Sequence, residues 1–347
     1  MPVLELTDLD RRIWEDELDE FVPQRIFDAH THVWRWAFNT DPEKNSSPYR
    51  NFVRPEFENA SYALLDECDE LLMPGRSVER LSFPFPFNTG TDFEASNEYI
   101  VNEFRDHPNS GTLMLVHPEM TADFIEDTVR SGGFLGLKPY RFYSATGDAV
   151  NCRITDFLPE HQIAVADRLG LLIMMHLSKP DGIADLQNLD DLERLTGEYP
   201  NAKWILAHCA RAYSNWPIEQ AGKRLRDMPN TWFDTSSVCE SDAIAALIRC
   251  VGIGRVMYGS DDVPVGILRG KYISFGYGWA YLSETNHSVN LSHCDGRMTF
   301  TRYEQLRAMK RASAAVGLSR ADIEATFSRN AEKLIATAAT ACSPRIQ

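Results

Sequence analysis

The stretch Arg25-Ile-Phe-Asp-Ala-His-Thr-His-Val33 decides how the rest of the chain is read. Apolar and β-branched residues open it and two imidazoles close it, the pattern of a buried strand that ends at a polar rim. Strand side chains alternate with a period of two, which places Ile26, Asp28, His30 and His32 on one side and Phe27, Ala29 and Val33 on the other. A His-x-His pair at a strand end is a metal-site pattern, because neutral imidazole is the commonest nitrogen ligand for zinc and its first-row neighbours. Taken alone, the pair fits two histidines satisfied by loop hydrogen bonds equally well. The remainder of the chain decides between the two.

Outward from this stretch, short apolar runs at 80–87, 111–117, 133–139, 171–176, 203–208, 231–234 and 255–261 alternate with helix-like segments such as 97–106, 121–131, 156–169, 183–199, 219–228 and 241–250. Counting the opening run, eight strand–helix alternations predict an α/β fold, a closed (β/α)8 TIM barrel. The glycine-rich phosphate fingerprints usual in doubly wound open sheets are missing. Pro84 and Pro86 make the second strand the weakest of the eight. Residues 1–24 read as an N-terminal helix, capped by Thr7 and closed by Pro23. Two long insertions follow strands one and eight: 34–76, dense in aromatic residues and read as partly helical over a site, and 262–300, rich in glycine and tyrosine. Residues 301–340 read as C-terminal helices that close the barrel and pack the N-terminal helix, so 1–347 forms one domain.

Composition excludes several functions. With 44% hydrophobic and 24% charged residues, the chain has the balance of an ordinary soluble protein. It contains no run of about 18 apolar residues that would cross a bilayer. The opening Met-Pro-Val-Leu-Glu-Leu-Thr-Asp lacks the order of a secretory signal, so a cytoplasmic protein is expected. Seven scattered cysteines without a Cys-x-x-Cys pair suit reduced thiols. A net charge of −15 opposes nucleic acid and anionic membranes. A small-molecule substrate is the expected partner, and the aromatic insertions could also form a homodimer contact.

His30, His32, Lys138, His176, His208 and Asp261 all stand where an apolar run ends and a loop begins, which in a barrel is the catalytic face. Alternation groups Leu172, Met174 and His176, Leu206 and His208, and Met257, Gly259 and Asp261. The order Asp-Ala-His30-Thr-His32, His176, His208 and Gly-Ser-Asp261 resembles the amidohydrolase superfamily, specifically the amidohydrolase-related branch that mixes hydrolases with nonoxidative decarboxylases. Ser328-Arg-Asn-Ala-Glu-Lys-Leu334 is similar to that branch's closing Asn-Ala-x-x-Leu helix, so the resemblance runs from about residue 25 to 336 and leaves both insertions unexplained. It implies one divalent ion held by His30, His32, His176 and Asp261, with His208 beside it as a catalytic or polarising residue. Zinc is the default for such ligands, and manganese or iron also fits. In two-metal relatives a lysine in the place of Lys138 is carboxylated and bridges the ions; binding of a substrate carboxylate is the preferred expectation for Lys138.

A divalent ion with an open coordination position lowers the pKa of bound water from ~15.7 toward ~7. Asp261 would then accept the water's proton and return it to the leaving group, while His208 polarises a carbonyl or holds the developing oxyanion. Arg141 and Arg211, together with Arg54 and its neighbours Arg35 and Arg50, offer guanidinium groups to a carboxylate, and Trp34, Trp36 and Tyr140 offer a flat apolar wall. Asp28 is expected to be structural, a layer below the histidines. These residues describe a metal-dependent hydrolase of a lactone, ester or amide of a small carboxylated substrate. The same set serves nonoxidative decarboxylation of an aromatic or unsaturated acid. A catalytically inactive barrel acting as a binding protein is the alternative of another class.

Overall fold

An all-parallel sheet buries both of its faces, and the apolar runs do form strands of that kind. The computed structural model describes residues 4–42, 59–88, 90–283 and 292–342. Its barrel strands are β1 (Arg25–Arg35), β2 (Ser77–Pro84), β3 (Gly111–Val116), β4 (Gly136–Pro139), β5 (Leu172–Met175), β6 (Lys203–Leu206), β7 (Thr231–Asp234) and β8 (Val256–Met257). Each pairs in parallel with the next. The segment after β8 returns to β1: Ala29 N donates to Tyr258 O at 2.9 Å, Asp261 N to His30 O at 2.9 Å and His32 N to Asp262 O at 2.5 Å. The sheet therefore closes as a TIM barrel, and the closing bonds run through the residues of the opening motif.

Phe27, Ala29, Leu81, Phe83, Leu113, Leu172, Met174, Ile205, Ala207 and Met257 fill the barrel, together with Ala331 and Leu334 from the helix Asn330–Cys342. Asn330 Nδ2 donates to Ile253 O at 2.9 Å and to Val256 O at 2.8 Å, where β8 begins. The helix thus plugs the end of the barrel opposite the histidine rim. Ahead of it, Thr301–Val316 packs the N-terminal helix as expected, with Trp14 stacked on Tyr303 and Arg307 Nε donating to Glu17 at 2.8 Å.

Two irregularities correct the alternation argument. Asp28 pairs with Arg80 but Thr31 with Ser82, so three residues of β1 advance against two of β2. This bulge resets the pleat. Phe27 and Ala29, not Ile26 and Asp28, face the lumen, and beyond the bulge His30 and His32 turn inward against Phe83, their rings 4.8 and 4.7 Å from it. Asp28 is not a deeper layer of the same face; its Oδ1 accepts from His30 N at 3.1 Å and Ser260 N at 2.9 Å. In β6, Ile205 and Ala207 face the lumen and Leu206 the outer core, so strict alternation would send His208 outward. Four successive left-handed residues, His208, Cys209, Ala210 and Arg211 (φ 57, 52, 60 and 59°), redirect it.

The insertions also differ from the reading at 34–76. Tyr62–Leu72 is the barrel's own crossover helix from β1 to β2, with Leu65, Cys68 and Leu72 in the core, and Asn59–Ala60 adds an antiparallel stub to the end of β1. The second insertion forms a hairpin, β9 (Gly270–Phe275) with β10 (Gly278–Ser283). Its base is clamped by the N-terminal helix: the buried Asp10 carboxylate accepts from Arg269 Nη1 at 3.1 Å, Arg269 Nη2 at 2.7 Å and Thr299 Oγ1 at 2.6 Å. No helix among the described residues is long and apolar enough to cross a membrane.

If the last helix is a plug, truncating its buried lumen residue leaves a cavity that rigid strands cannot collapse. Leu334→Ala should then cost about 2–5 kcal/mol in urea unfolding. A loss under about 1 kcal/mol, the size of an ordinary surface change, would remove the plug role.

Candidate metal centre

Three side chains from the two ends of the sheet meet at the barrel mouth. Nε2 of His30 lies 3.3 Å and Nε2 of His32 lies 3.4 Å from Asp261 Oδ1. All three residues are buried, and their candidate ligand atoms lie within 4.8 Å of one another. The bulge aims the histidines, and a left-handed Asp261 (φ 66°) turns the carboxylate back toward them. Gly259 permits the approach, since a Cβ there would stand 2.7 Å from His30 Cβ. Ser237 Oγ donates to the other carboxylate oxygen of Asp261 at 2.6 Å.

The structure places His208 beside this trio, its ring 5.0 Å from that of His30. His176 stands one ring further along, 5.1 Å from His208 and 5.3 Å from Tyr140, and is not part of the close group. Asp234, at the end of β7, was not singled out in the sequence, yet its Oδ2 accepts from His30 Nδ1 at 3.0 Å and its Oδ1 from His208 N at 3.0 Å. The signal was available: it ends an apolar run as Asp261 and the histidines do. Ser236 and Ser237 carried no comparable signal.

Burial holds His32 down to about 4 despite the neighbouring Asp261, so its imidazole is neutral. Burial also lowers His176, helped by His208 and Arg141, and lowers His208 against the pull of Asp261. On His30 burial acts the same way but loses to the Asp234 and Asp261 carboxylates, and the pKa rises. Burial opposes ionisation of Asp234 and Asp261; hydrogen bonds and charge from the imidazoles outweigh it and hold both below the usual carboxylate range. Two neutralisable imidazole nitrogens and an ionised carboxylate oxygen converging at one point suit a divalent metal. Buried His32 Nδ1 and Lys138 Nζ have no hydrogen-bond partner among the described residues.

Lys138 is fully buried, its Nζ 4.3 Å from the centre of the Phe83 ring and 5.3 Å from that of Tyr140, and burial lowers its pKa to about 7. It is not among the residues that line the cavity above the site. That cavity, about 130 Å³, is lined by His32, His176, His208 and Asp261 at its floor and by Arg141, Arg211 and Tyr140, with Trp36, Phe85, Phe142, Tyr213, Tyr272 and Trp279 among its aromatic walls. Of the two tryptophans expected in the wall, Trp36 lines the cavity, whereas Trp34 is 1% exposed and packs against Phe85 and Phe87. Arg54 and Arg50 lie outside the described residues, and Arg35 sits over Tyr99 instead. Tyr272 and Trp279 come from the hairpin, whose half-buried strand Gly278–Ser283 shows none of the inside–outside alternation that a sequence pattern would reveal.

Comparison with known proteins bears on this geometry. The family model described as Amidohydrolase matches residues 27–336. Among solved structures, a 2,6-dihydroxybenzoate decarboxylase complexed with 2,6-dihydroxybenzoate is similar with a TM-score of 0.56 and 12% identity, over 90% of this chain and 100% of that one. A probable 2-pyrone-4,6-dicarboxylic acid hydrolase from Acinetobacter baumannii with citric acid bound has a TM-score of 0.56 and 14% identity, over 90% and 99% of the two chains. A dihydroxybenzoic acid decarboxylase from a Polaromonas species, with bound manganese and the inhibitor 2-nitroresorcinol, has a TM-score of 0.54 and 14% identity, over 90% and 97%. At such identities the likeness is one of fold. No match was found among curated proteins.

An ion entering the trio must displace the proton that the raised pKa keeps on His30, whereas His32 at about 4 is already neutral. Affinity for added zinc should therefore climb about tenfold per pH unit below the raised His30 pKa and level off above it. Chelator competition across that range reads the slope, and a flat profile would take His30 out of coordination.

Proposed function

Because the chain belongs to the amidohydrolase family, we propose that it is a metal-dependent hydrolase that opens a lactone, or cleaves an ester or amide, of a small carboxylated substrate. The observation that carries this reading is the meeting of His30 Nε2, His32 Nε2 and Asp261 Oδ1, two of whose residues, His32 and Asp261, line a cavity together with His176 and His208. A divalent ion held by His30, His32 and Asp261, with His176 one ring further along as the fourth candidate ligand, would supply Lewis acidity and lower the pKa of a water it binds.

The chain's own residues do the rest. Asp261, with Oδ2 fixed by Ser237, is the carboxylate at the cavity floor that accepts a proton from the attacking water and returns it to the leaving oxygen or nitrogen. His208 Nδ1 donates to Ser236 O at 3.0 Å, so the neutral ring shows the cavity a bare Nε2. In that form it accepts a hydrogen bond from water or a substrate hydroxyl rather than holding an oxyanion. Arg141 and Arg211 give the walls positive charge for a carboxylate, and the aromatic rings favour a flat substrate. Flat, carboxylated and unsaturated also describes the substrate of a nonoxidative decarboxylase, and the aromatic walls favour that second reading.

The two reactions separate by their products. A panel of carboxylated lactones, esters and amides should yield a new carboxylate with acidification and no carbon dioxide; carbon dioxide released from hydroxybenzoates would transfer the site to the second reading. Either activity should disappear on chelation and return with added divalent metal. Asp261→Asn should lower kcat by about 10²–10⁴-fold, the size of a lost general acid–base group. Undiminished activity in the stripped protein would end the metal-dependent reading.

A further inference from the structure

Asp234 and the two serines near it fix more than position. Asp234 is fully buried, and every polar contact it makes at the site is with a donor. Its Oδ2 accepts from His30 Nδ1 at 3.0 Å; its Oδ1 accepts from His208 N at 3.0 Å, Ser236 N at 3.0 Å and Ser236 Oγ at 2.5 Å. The Ser236 hydroxyl has a single proton, and the carboxylate, which only accepts, claims it. Toward the imidazoles, 2.9 Å away at His208 Nδ1 and 3.3 Å away at His30 Nδ1, Ser236 Oγ is therefore left as an acceptor. Ser236 O, 3.0 Å from His208 Nδ1, is an acceptor as well. Every atom facing either Nδ1 demands a proton from it.

We propose that Asp234 is the positioning residue that locks the His30 ring with its proton on Nδ1, while Ser236, through its carbonyl and its hydroxyl oxygen, holds His208 in the same form. Each ring then turns a bare Nε2 toward the reaction side; for His30 that is the nitrogen 3.3 Å from Asp261 Oδ1. The inference rests on the metal-centre reading for its consequence, because a ring protonated on Nε2 offers a metal no lone pair there, but not for its geometry. A carboxylate behind a ligating histidine acts in this way at metal sites generally.

The arrangement makes Asp234→Asn unusually informative. The Oδ1 position faces two backbone N–H groups that cannot reverse, so the asparagine carbonyl must stay there. Its amide NH2 then points at His30 Nδ1 and requires that nitrogen to accept, which moves the His30 proton to Nε2. His208 keeps its proton on Nδ1, because the Ser236 carbonyl still faces it.

The test uses protein labelled with 15N-histidine, zinc as a diamagnetic probe and chelator competition for affinity. In wild-type protein, His30 and His208 should both show a protonated Nδ1, in the zinc-loaded form and in the metal-free form at alkaline pH. Asp234→Asn should place the metal-free His30 proton on Nε2 and weaken zinc binding about 10–100-fold, while His208 stays unchanged. Ser236→Ala should leave His30 on Nδ1, since the direct bond to Asp234 remains. An Asp234→Asn protein with His30 still protonated on Nδ1 and zinc affinity within twofold of wild type overturns the proposal. Should that variant fail to fold, the wild-type spectrum decides, because Nε2 protonation of His30 there overturns it equally. Wild-type protein that binds no zinc but shows both Nδ1 protons would sink the metal reading and leave this one standing.

Discussion

Two carboxylates buried at the mouth of the barrel impose the constraint on which the rest of the site depends. Asp234 is 0% and Asp261 8% exposed, and taking a carboxylate out of water costs several kcal/mol per ion unless donors replace the water. The chain provides donors from three strand ends. The ring of His30 and the backbone of His208 serve Asp234, and Ser236 serves it twice; Ser237 serves Asp261, whose other oxygen faces the Nε2 edges of His30 and His32. Regular strands cannot bring so many groups to two points. The bulge in β1, the left-handed run after β6, and the left-handed Ser237 (φ 59°) and Asp261 are the departures that do so. Four local irregularities therefore have one physical cause.

A second set of charges supports the same strand ends from outside. Arg302, on the helix after the hairpin, donates through Nη1 to Asp69 at 2.5 Å and pairs through Nη2 with Asp262, the neighbour of Asp261. Arg80 donates to Asp69 at 2.6 Å and to Asp66 at 2.7 Å. Asp28, pushed up to about 6 by burial, accepts from the backbone of His30 and Ser260. The two strands that close the barrel are thus held on both faces. Asp28 and His30, adjacent in one short motif, serve opposite sides of the sheet.

How legible this was follows from which interactions are local. The eight strands could be read because burial on both faces leaves a near-continuous apolar run, and the rim could be read because each run stops at a polar group. What failed was parity in β1 and β6, while in β5 it held, with Leu172 and Met174 in the lumen and His176 at the cavity. Alternation assumes unbroken pleating, and a bulge or a left-handed residue is set by partners far along the chain, such as the Asp234 carboxylate that receives His208 N. The inward turn of His30, His32 and His208 was thus expected for the wrong reason. Trp34 and Trp36 share a parity, and only the tertiary position of Phe85 and Phe87 decides which of them reaches the cavity. The hairpin's contribution was equally hidden, because Tyr272 and Trp279 reach the site through a fold-back anchored by Asp10, more than 250 residues earlier.

The left-handed run at His208–Arg211 argues that the rim is rigid. For residues with a Cβ this conformation costs roughly 1–2 kcal/mol each, and four in a row survive only where the surroundings over-determine them. Here they do. His208 N is bound by Asp234, Ala212 N returns to His208 O at 3.0 Å, and Arg211 Nη1 reaches across to Leu177 O at 3.0 Å and Lys179 O at 2.8 Å. Gly182, itself left-handed (φ 54°), lets the two loops touch, since a Cβ there would come within 2.7 Å of Arg211 O. The loops after β5 and β6, which carry His176 and His208, are therefore one packed unit. Opening the loop after β6 would release the strain but strand the buried Asp234 without one of its donors. Reactive groups held this way are organised before a substrate arrives, which is where electrostatic catalysis draws most of its advantage. On the proposed function, substrate choice is left to the walls that this unit does not hold, namely the segment after β1 that carries Trp36 and the hairpin that carries Tyr272 and Trp279.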